Sequence, residues 1–536
     1  SVVGFLSYAF RGIGKFTRPF LPWKEAPGFL ANWLPGTAGL EHLYATVILL
    51  VTGVYCVFGG MYSVVMNDLI QYALIIVSAV ILLVVALSLT SSDQILAHVP
   101  AGWDNLFFGW RLDLDWSNLI PQLNEKLYGA GGDGYAIFGF FVGMLFLKGV
   151  LVSMAGPTPN YAIQHVLSTR SPREAALENF MMALTSLGPR FLMIAGIAVI
   201  GIVAFSQDLT AMGAKVDFEV ILPAVVQNHL PIGCRGLILA ALLAAFMSTF
   251  VSTVNSGAAY VVNDIYKRYV HPQAPPRRLV RMGYFTSVAV ILAGIAFGFA
   301  TQNVHSVTKW IVAALVPAFV APNVLKWHWW RFNGHGFFAG MIAGTAAALI
   351  VPALPRLAGV LASVVGTDAS PRFHGVLQQF SQSRVHDIWL FLSVIALSSL
   401  ASVVVCLLTR PEPTEVLMRF YRTVRPWGWW KPIHEACQAQ SPGLEPNLDL
   451  RRDTFNLAVG LVWQTSMVAL PIYLVIQQWP RMWFSLAVLV VTSVILKFSW
   501  YDHLGPGEMY LEEKRPSAST SASTQRGGAS DQSGST

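Results

Sequence analysis

About eleven stretches of this chain are apolar over roughly 20 residues, which is the length a helix needs to cross a lipid bilayer. The chain is 54% hydrophobic and only 12% charged, whereas a soluble protein carries about 25% charged residues. The sequence therefore predicts an all-α polytopic membrane protein. The predicted spans are 41–60, 67–88, 136–156, 180–205, 236–262, 281–300, 307–325, 337–355, 388–409, 455–476 and 481–499.

The basic residues are distributed unevenly between the two sets of loops that connect these spans. If the helices alternate in direction, one set holds twice as many lysines and arginines as the other, although the other set is longer. Because cytoplasmic loops of membrane proteins are enriched in such residues, we expect this set and the C-terminus to be cytoplasmic, in a multi-pass protein of the cell membrane. The net charge of +7 then needs no nucleic-acid partner. The basic set is 157–179, 263–280, 326–336 and 410–454.

Cysteine and histidine positions argue against a metal centre and against an enzyme. The four cysteines occur at no metal-ligand or paired spacing. A membrane-embedded enzyme or electron-transfer subunit would place paired histidines or acidic clusters inside helices, yet most of the twelve histidines fall in loops or near helix ends. We therefore expect no catalytic residues, no cofactor and no bound metal beyond a transported cation.

The most informative segment is 236–269, which carries a stripe of small and hydroxyl-bearing residues. Ala245, Ser248, Thr249 and Ser252 are spaced i, i+3, i+4 and i+7, so they share one face of a helix. Polar groups in hydrocarbon need partners. The hydroxyls either bond back to their own helix or pack against a neighbouring one, or they face a small hard cation, which prefers oxygen ligands.

The same segment resembles the eighth core helix of the sodium:solute symporter family. Three further stretches resemble that family in order: GGMYSVVMNDLIQ at 59–71 the loop into its fifth core helix, NYAIQHVLSTRSPREA at 160–175 its Gln-rich connection, and KWHWWRFNGHG at 326–336 its Trp/Arg turn. The resemblance implies two inverted five-helix repeats, incomplete here at the N-terminus, with sodium and solute bound at broken helices near the membrane midplane.

The resemblance also implies a sodium site on the eighth core helix. Ala245 would supply its backbone carbonyl, and Ser248 and Thr249 their hydroxyls. Asp68 matches an acid beside the sodium path, which in some members forms a second sodium site with serines that match Ser248, Ser252 and a third position. Val251 occupies that third position here, so Asp68 is expected to act mainly as a relay for the leaving cation. The alternative for Asp68 is an interfacial acid paired with a nearby base.

The substrate side is less defined. Lys148 and Arg190 are cations inside predicted spans, where charged residues normally have functional partners. They could hold a carboxylate, or they could neutralise an acid outside this chain. With Gln164 of the Gln-rich connection, they are the candidate substrate residues. The Asn, Tyr and Lys of sugar-carrying members are replaced at the matching positions by Val152, Ala155 and Ser186.

The chain divides into four predicted regions. Residues 1–409 form the symporter core with extra helices, 410–454 a cytoplasmic linker, 455–500 two C-terminal spans, and 501–536 a Ser/Thr/Gly-rich disordered tail. The first residues resemble the second half of a membrane helix, so we expect an N-terminally truncated member that does not transport by itself.

These observations favour a sodium-coupled symporter that imports a small organic solute, namely a sugar, an amino acid or a carboxylate. The alternative is a sensor or an accessory membrane subunit with a symporter-like domain and no transport of its own. The sequence leaves open whether sodium or a proton is the coupling ion.

Overall fold

The computed structural model is built of helices throughout the part of the chain that it describes. Six helices lie in the N-terminal half, followed by a π-helix at Tyr260–Val270. They are α1 (Val2–Thr17), α2 (Gly36–Leu89), α3 (Ser92–His98), α4 (Pro172–Ala204), α5 (Ile221–His229) and α6 (Ile232–Ala259). The structure describes residues 2–21, 36–105, 114–117, 119, 151, 154–155, 166, 168–206, 221–299, 316–369, 374, 376, 378–379, 387–444, 446–447 and 449–504.

The C-terminal half continues with helices of mixed length. Short 3-10 turns follow α9 at Val351–Ala353 and α15 at Tyr501–His503. The helices are α7 (Pro276–Phe299), α8 (Val316–His328), α9 (Gly334–Ile350), α10 (Leu354–Ala369), α11 (Asp387–Leu408), α12 (Thr414–Val424), α13 (Lys431–Gln440), α14 (Leu450–Val475) and α15 (Trp479–Ser499).

Nine membrane-spanning candidates occur within the described residues, and each coincides with a span expected from the sequence. Of the two remaining expected spans, 136–156 lies almost wholly outside the described residues, and 307–325 is described only from Val316. The polytopic all-α class is confirmed. The inverted-repeat arrangement stays a prediction.

The stretch 59–71 differs from the expectation, because we expected a loop and the chain is helical there. Helix α2 runs without interruption through two apolar spans, Gly39–Val57 and Asp68–Leu89. The stretch contains no proline, and its Gly59–Gly60 pair costs only about 1 kcal/mol per glycine in a helix. Local sequence therefore does not force the helix to end.

Helices α2 and α6 pack antiparallel, and this contact positions the candidate site. Cys56 of α2 lies beside α6, with its Sγ 3.8 Å from the carbonyl oxygen of Val251. Further along α2, Leu82 packs in one buried cluster with Ile238 near the start of α6. Residue numbers thus rise along α2 as they fall along α6, and Asp68 lies between the two contacts.

A glycine ladder holds α9 against α11 and α8. Gly336, Gly340 and Gly344 follow at i, i+4 and i+8, which is the spacing of small residues at close helix crossings in membranes. A methyl group added at Gly340 would meet the Ser402 hydroxyl and would lie 3.0 Å from the backbone oxygen of Ser398. The absence of a side chain is what allows the two backbones to approach.

The segment expected to be a linker, 410–454, contains the helices α12 and α13. They share a core of their own that includes Tyr421, Trp430 and Cys437. This small unit is attached to the turn between α8 and α9, because the indole Nε1 of Trp430 donates to the carbonyl oxygen of Trp327 at 2.8 Å.

Replacing Gly340 by alanine should destabilise the fold, because the new methyl group overlaps Ser402 and the α11 backbone. Overpacking of this kind costs about 1–3 kcal/mol, which exceeds the gain of about 1 kcal/mol in helix propensity. Thermal unfolding of the purified protein in detergent should show a lower midpoint. Gly460→Ala is the control, since nothing lies within 4 Å of its added methyl group. Equal midpoints for the two variants would contradict the ladder.

Candidate functional site

Asp68 and Ser248 form the centre of the candidate site. Asp68 begins the second apolar span of α2, and Ser248 lies midway along α6. The Ser248 hydroxyl donates to Asp68 Oδ1 at 2.6 Å. The expected proximity of these two side chains is therefore observed, and the pair satisfies a carboxylate that would otherwise lack a partner at membrane depth.

The Thr249 hydroxyl and the Ala245 backbone carbonyl are a second pair of neighbouring oxygens, on the same face of α6 as Ser248. The Thr249 hydroxyl donates to the backbone oxygen of Ala245 at 3.2 Å. This is the bond back to residue i−4 that the sequence left open as the structural alternative. The Thr249 side chain is nevertheless exposed, so its oxygen remains accessible from outside the helix.

Ser252, the remaining position of the stripe, and its neighbour Val251 are both buried. Ser252 is 7% exposed and lies one turn beyond Ser248. Val251, which occupies the third serine position of the implied second site, belongs to an apolar cluster with Cys56 and Phe250. An oxygen at position 251 would face this cluster, so the structure gives a packing reason for the valine.

Gln71 was not among the expected site residues, yet it lies on the same face of α2 as Asp68, at i+3. It is 4% exposed, and its Oε1 has no hydrogen-bond partner within the described structure. A buried amide oxygen without a partner is costly. The signal in the sequence is the Gln three residues after the acid, at the end of the stretch 59–71.

Arg190 lies at the middle of the membrane span. Helix α4 runs parallel to α2, because the Tyr72 hydroxyl donates to the Thr185 carbonyl and Gly196 contacts Leu82. Arg190 falls between these two contacts, about half-way along the second span of α2. Contrary to the expectation of a buried cation, its side chain is exposed on the described surface.

The structure does not bring the three candidate substrate residues together. Lys148 and Gln164 lie outside the described residues, so only Arg190 has a position. From Asp68 to the level of Arg190 is about nine residues along α2, which is about 13 Å at 1.5 Å per residue. The oxygens of Asp68 and Ser248 and the side chain of Arg190 therefore lie at separate levels along the helix bundle.

Known proteins similar to this chain are sodium-coupled transporters. The sequence profile of the sodium:solute symporter family matches residues 31–344. Sodium/glucose cotransporter 4 of Danio rerio is 23% identical over 444 residues, which cover 78% of this chain and 62% of the relative. The sodium/glucose cotransporter of Vibrio parahaemolyticus is 26% identical over 339 residues, 59% of this chain and 58% of the relative.

A solved structure of a Na+-coupled sialic acid symporter is also similar, with a TM-score of 0.40 and 17% identity over 76% of this chain and 72% of that one. The chain spans less than two thirds of the length of the curated relatives given above. Since the family profile covers more than half of the chain, the protein belongs to the sodium:solute symporter family, whose members are sodium-coupled transporters and not enzymes.

Proposed function

We propose that the protein is a sodium-coupled symporter for a small organic solute and that Ala245, Ser248, Thr249, Ser252 and Asp68 bind the sodium ion. The observation that carries the proposal is the contact between the Asp68 carboxylate and the Ser248 hydroxyl. It places a negative charge against the hydroxyl stripe of α6 within the membrane span, and an ionised carboxylate at that depth is normally functional.

The spacing of the oxygens supports a shared cation. Hard cations of this size take oxygen ligands at about 2.3–2.6 Å. The Thr249 hydroxyl and the Ala245 carbonyl oxygens are 3.2 Å apart, so both can reach one such ion at close to a right angle. The Thr249 proton then turns away, because a hydroxyl can present a lone pair as readily as a proton.

Asp68 contributes charge. Sodium loses its water shell on entering the site, and neutral hydroxyls alone replace only part of that stabilisation. When the Ser248 hydroxyl rotates its proton away, its oxygen and Asp68 Oδ1 both face the cation. The same carboxylate that accepts from Ser248 then neutralises the ion, which gives Asp68 either a ligand role or the role of a relay along the path of the cation.

Removing single hydroxyls should weaken sodium binding. Ser248→Ala and Thr249→Ala each delete one proposed ligand, and an unmet buried polar contact costs about 1–3 kcal/mol. The sodium concentration for half-maximal uptake should rise about five-fold or more in proteoliposomes that contain the complete protein. Substrate affinity should fall with it, because coupling between two bound ligands is reciprocal.

Thr465→Ala is the matched control, since Thr465 is also exposed and also donates to its i−4 carbonyl, at 2.8 Å, on α14. Sodium dependence that is unchanged in both site variants would leave the stripe as a structural element or point to proton coupling. Uptake that is absent with and without sodium would favour the sensor or accessory-subunit alternative.

Gln71 extends the proposed site by one turn of α2. Its unpartnered oxygen is available to a cation or to a water in the ion's shell. Gln71→Leu retains the volume and removes the oxygen, so apparent sodium affinity should fall several-fold while thermal stability is retained or increased. A variant with lower stability and unchanged sodium affinity would make Gln71 a structural residue. Gln477→Leu is not a suitable control, because the Gln477 amide donates to the Thr90 carbonyl. Gln464→Leu, at an exposed position on α14, is the control.

Arg190 supports an anionic group on the solute. A guanidinium at mid-membrane depth needs water, an anion or a carboxylate around it. The Arg190 side chain is exposed, and the sugar-binding positions that the resemblance implies are occupied by Val152, Ala155 and Ser186. We infer a solute that carries a carboxylate. The relatives are named for glucose, so a neutral sugar is the second candidate, with Arg190 then serving to neutralise another part of the complete protein.

Arg190→Gln separates these two candidates. With a carboxylate solute, the mutation should raise the half-saturating concentration about ten-fold or more, since a hydrogen bond to a charged group is worth about 1.5–3 kcal/mol. Competition assays should compare sugars, amino acids and monocarboxylates under a sodium gradient. Arg281→Gln, at an exposed position near the start of α7, is the control. Equal losses for neutral and anionic solutes would refute direct recognition.

A further inference from the structure

His328 ends α8 and contacts two backbone carbonyl groups from different parts of the chain. Its Nδ1 is 3.0 Å from the carbonyl oxygen of Trp427, which lies between α12 and α13. Its Nε2 is 3.3 Å from the carbonyl oxygen of Met154. The two contacts are separated by 273 residues of sequence, so one imidazole ring joins three segments.

A carbonyl oxygen can only accept a hydrogen bond. Neutral imidazole has a single N–H group, and its other nitrogen carries a lone pair, which repels a carbonyl oxygen. Both contacts are hydrogen bonds only when both nitrogens are protonated. We propose that His328 is a proton-operated latch that fastens the segment at Met154 and the segment at Trp427 to the turn after α8 when the ring is charged.

The surroundings fit a charged ring on one side. The Trp427 indole lies against His328, with ring centroids 4.4 Å apart and the ring planes tilted by 38°, and aromatic faces attract cations. Two backbone bonds hold the Trp427 side of the latch in place: Trp429 N–H donates to the His328 carbonyl at 2.7 Å, and Trp330 N–H donates to the Trp429 carbonyl at 3.4 Å. Gly428, between them, has a φ of +125°. A methyl group at Gly428 would lie 3.0 Å from His328 Cα, so only glycine allows this approach.

The other ionisable groups of the segments that meet at His328 change charge over different pH ranges. Lysine, arginine and glutamate keep their charge between about pH 5 and 8, whereas histidine does not. His434 is the second histidine of this unit, and its Nδ1 lies 3.2 Å from the Tyr421 hydroxyl oxygen, away from the carbonyl pair. The ionisable residues of the end of α8, the turn after it and residues 410–440 are Lys326, Arg331, Arg410, Glu412, Glu415, Arg419, Tyr421, Arg422, Arg425, Lys431, His434, Glu435 and Cys437.

Loss of the proton removes one of the two bonds. Nδ1 lies closer to its carbonyl than Nε2 does, so the remaining proton stays on Nδ1 and the contact to Met154 is released. Met154 then lacks at high pH the hydrogen bond to His328 that it accepts at low pH, while the backbone bonds of Trp429 persist. The latch is a property of the chain itself and does not depend on sodium or solute.

Hydrogen–deuterium exchange by mass spectrometry tests this inference, with the complete protein in detergent and without sodium or solute. Exchange is measured from about pH 5.5 to 8 and corrected for the intrinsic pH dependence of amide exchange. Protection of peptides that contain Met154 should fall about ten-fold across this range, which corresponds to one hydrogen bond to a charged donor. Peptides that contain Trp429 should change less.

Three variants assign the effect. His328→Asn stays neutral at every pH and should abolish the pH dependence at Met154. His434→Gln and His335→Asn, the latter at an exposed position at the start of α9, should retain it. Protection at Met154 that is independent of pH in the wild-type protein would overturn the latch whether or not His328→Asn folds. So would a pH dependence that persists in His328→Asn or disappears in His434→Gln.

Discussion

A polar group inside a bilayer has no water to bond to, and this constraint shapes the contact between α2 and α6. Asp68 would be costly at membrane depth by itself, and the Ser248 hydroxyl provides its partner. That single contact fixes the register of two long helices that otherwise meet through apolar side chains such as Leu82 and Ile238. A slip of one residue would turn Asp68 away from Ser248 by about 100°. The apolar contacts alone would allow neighbouring registers, and the polar pair selects one of them.

The contact between α9 and α11 and the contact between α2 and α6 are packed by different kinds of residue. Around α9 and α11 the helices approach through glycines, with Ser398 and Cys406 filling the gaps. Such contacts leave no room for an added side chain. Between α2 and α6 the contacts are made by longer side chains and by hydroxyls, which rotate at little cost. The structure therefore combines a closely packed helix contact with one whose polar groups can exchange partners, as the proposed cation site would require.

Much of this arrangement could be predicted from the sequence, because hydropathy and helical spacing act locally. The nine described spans follow from apolar length, and the shared face of Ser248 and Thr249 follows from 3.6 residues per turn. The continuity of α2 through 59–71 could not be predicted, since no local residue decides it. The contacts of His328 could not be predicted either, because only tertiary packing brings the backbone carbonyls of Trp427 and Met154 to its two ring nitrogens.

The proposed coupling of ion and solute has a direct physical route. Helix α2 carries Asp68, and the hydrogen bond from Tyr72 to the Thr185 carbonyl attaches α2 to α4 one turn further on. Arg190 belongs to α4, about 13 Å along the bundle from Asp68. In the proposed site, a cation that draws Asp68 and the α6 oxygens together would act on α2, which packs against α4 at Tyr72 and Leu82. The affinity of Arg190 for the proposed anionic solute would then depend on whether the cation is bound, and reciprocity would require the solute to tighten cation binding by the same factor.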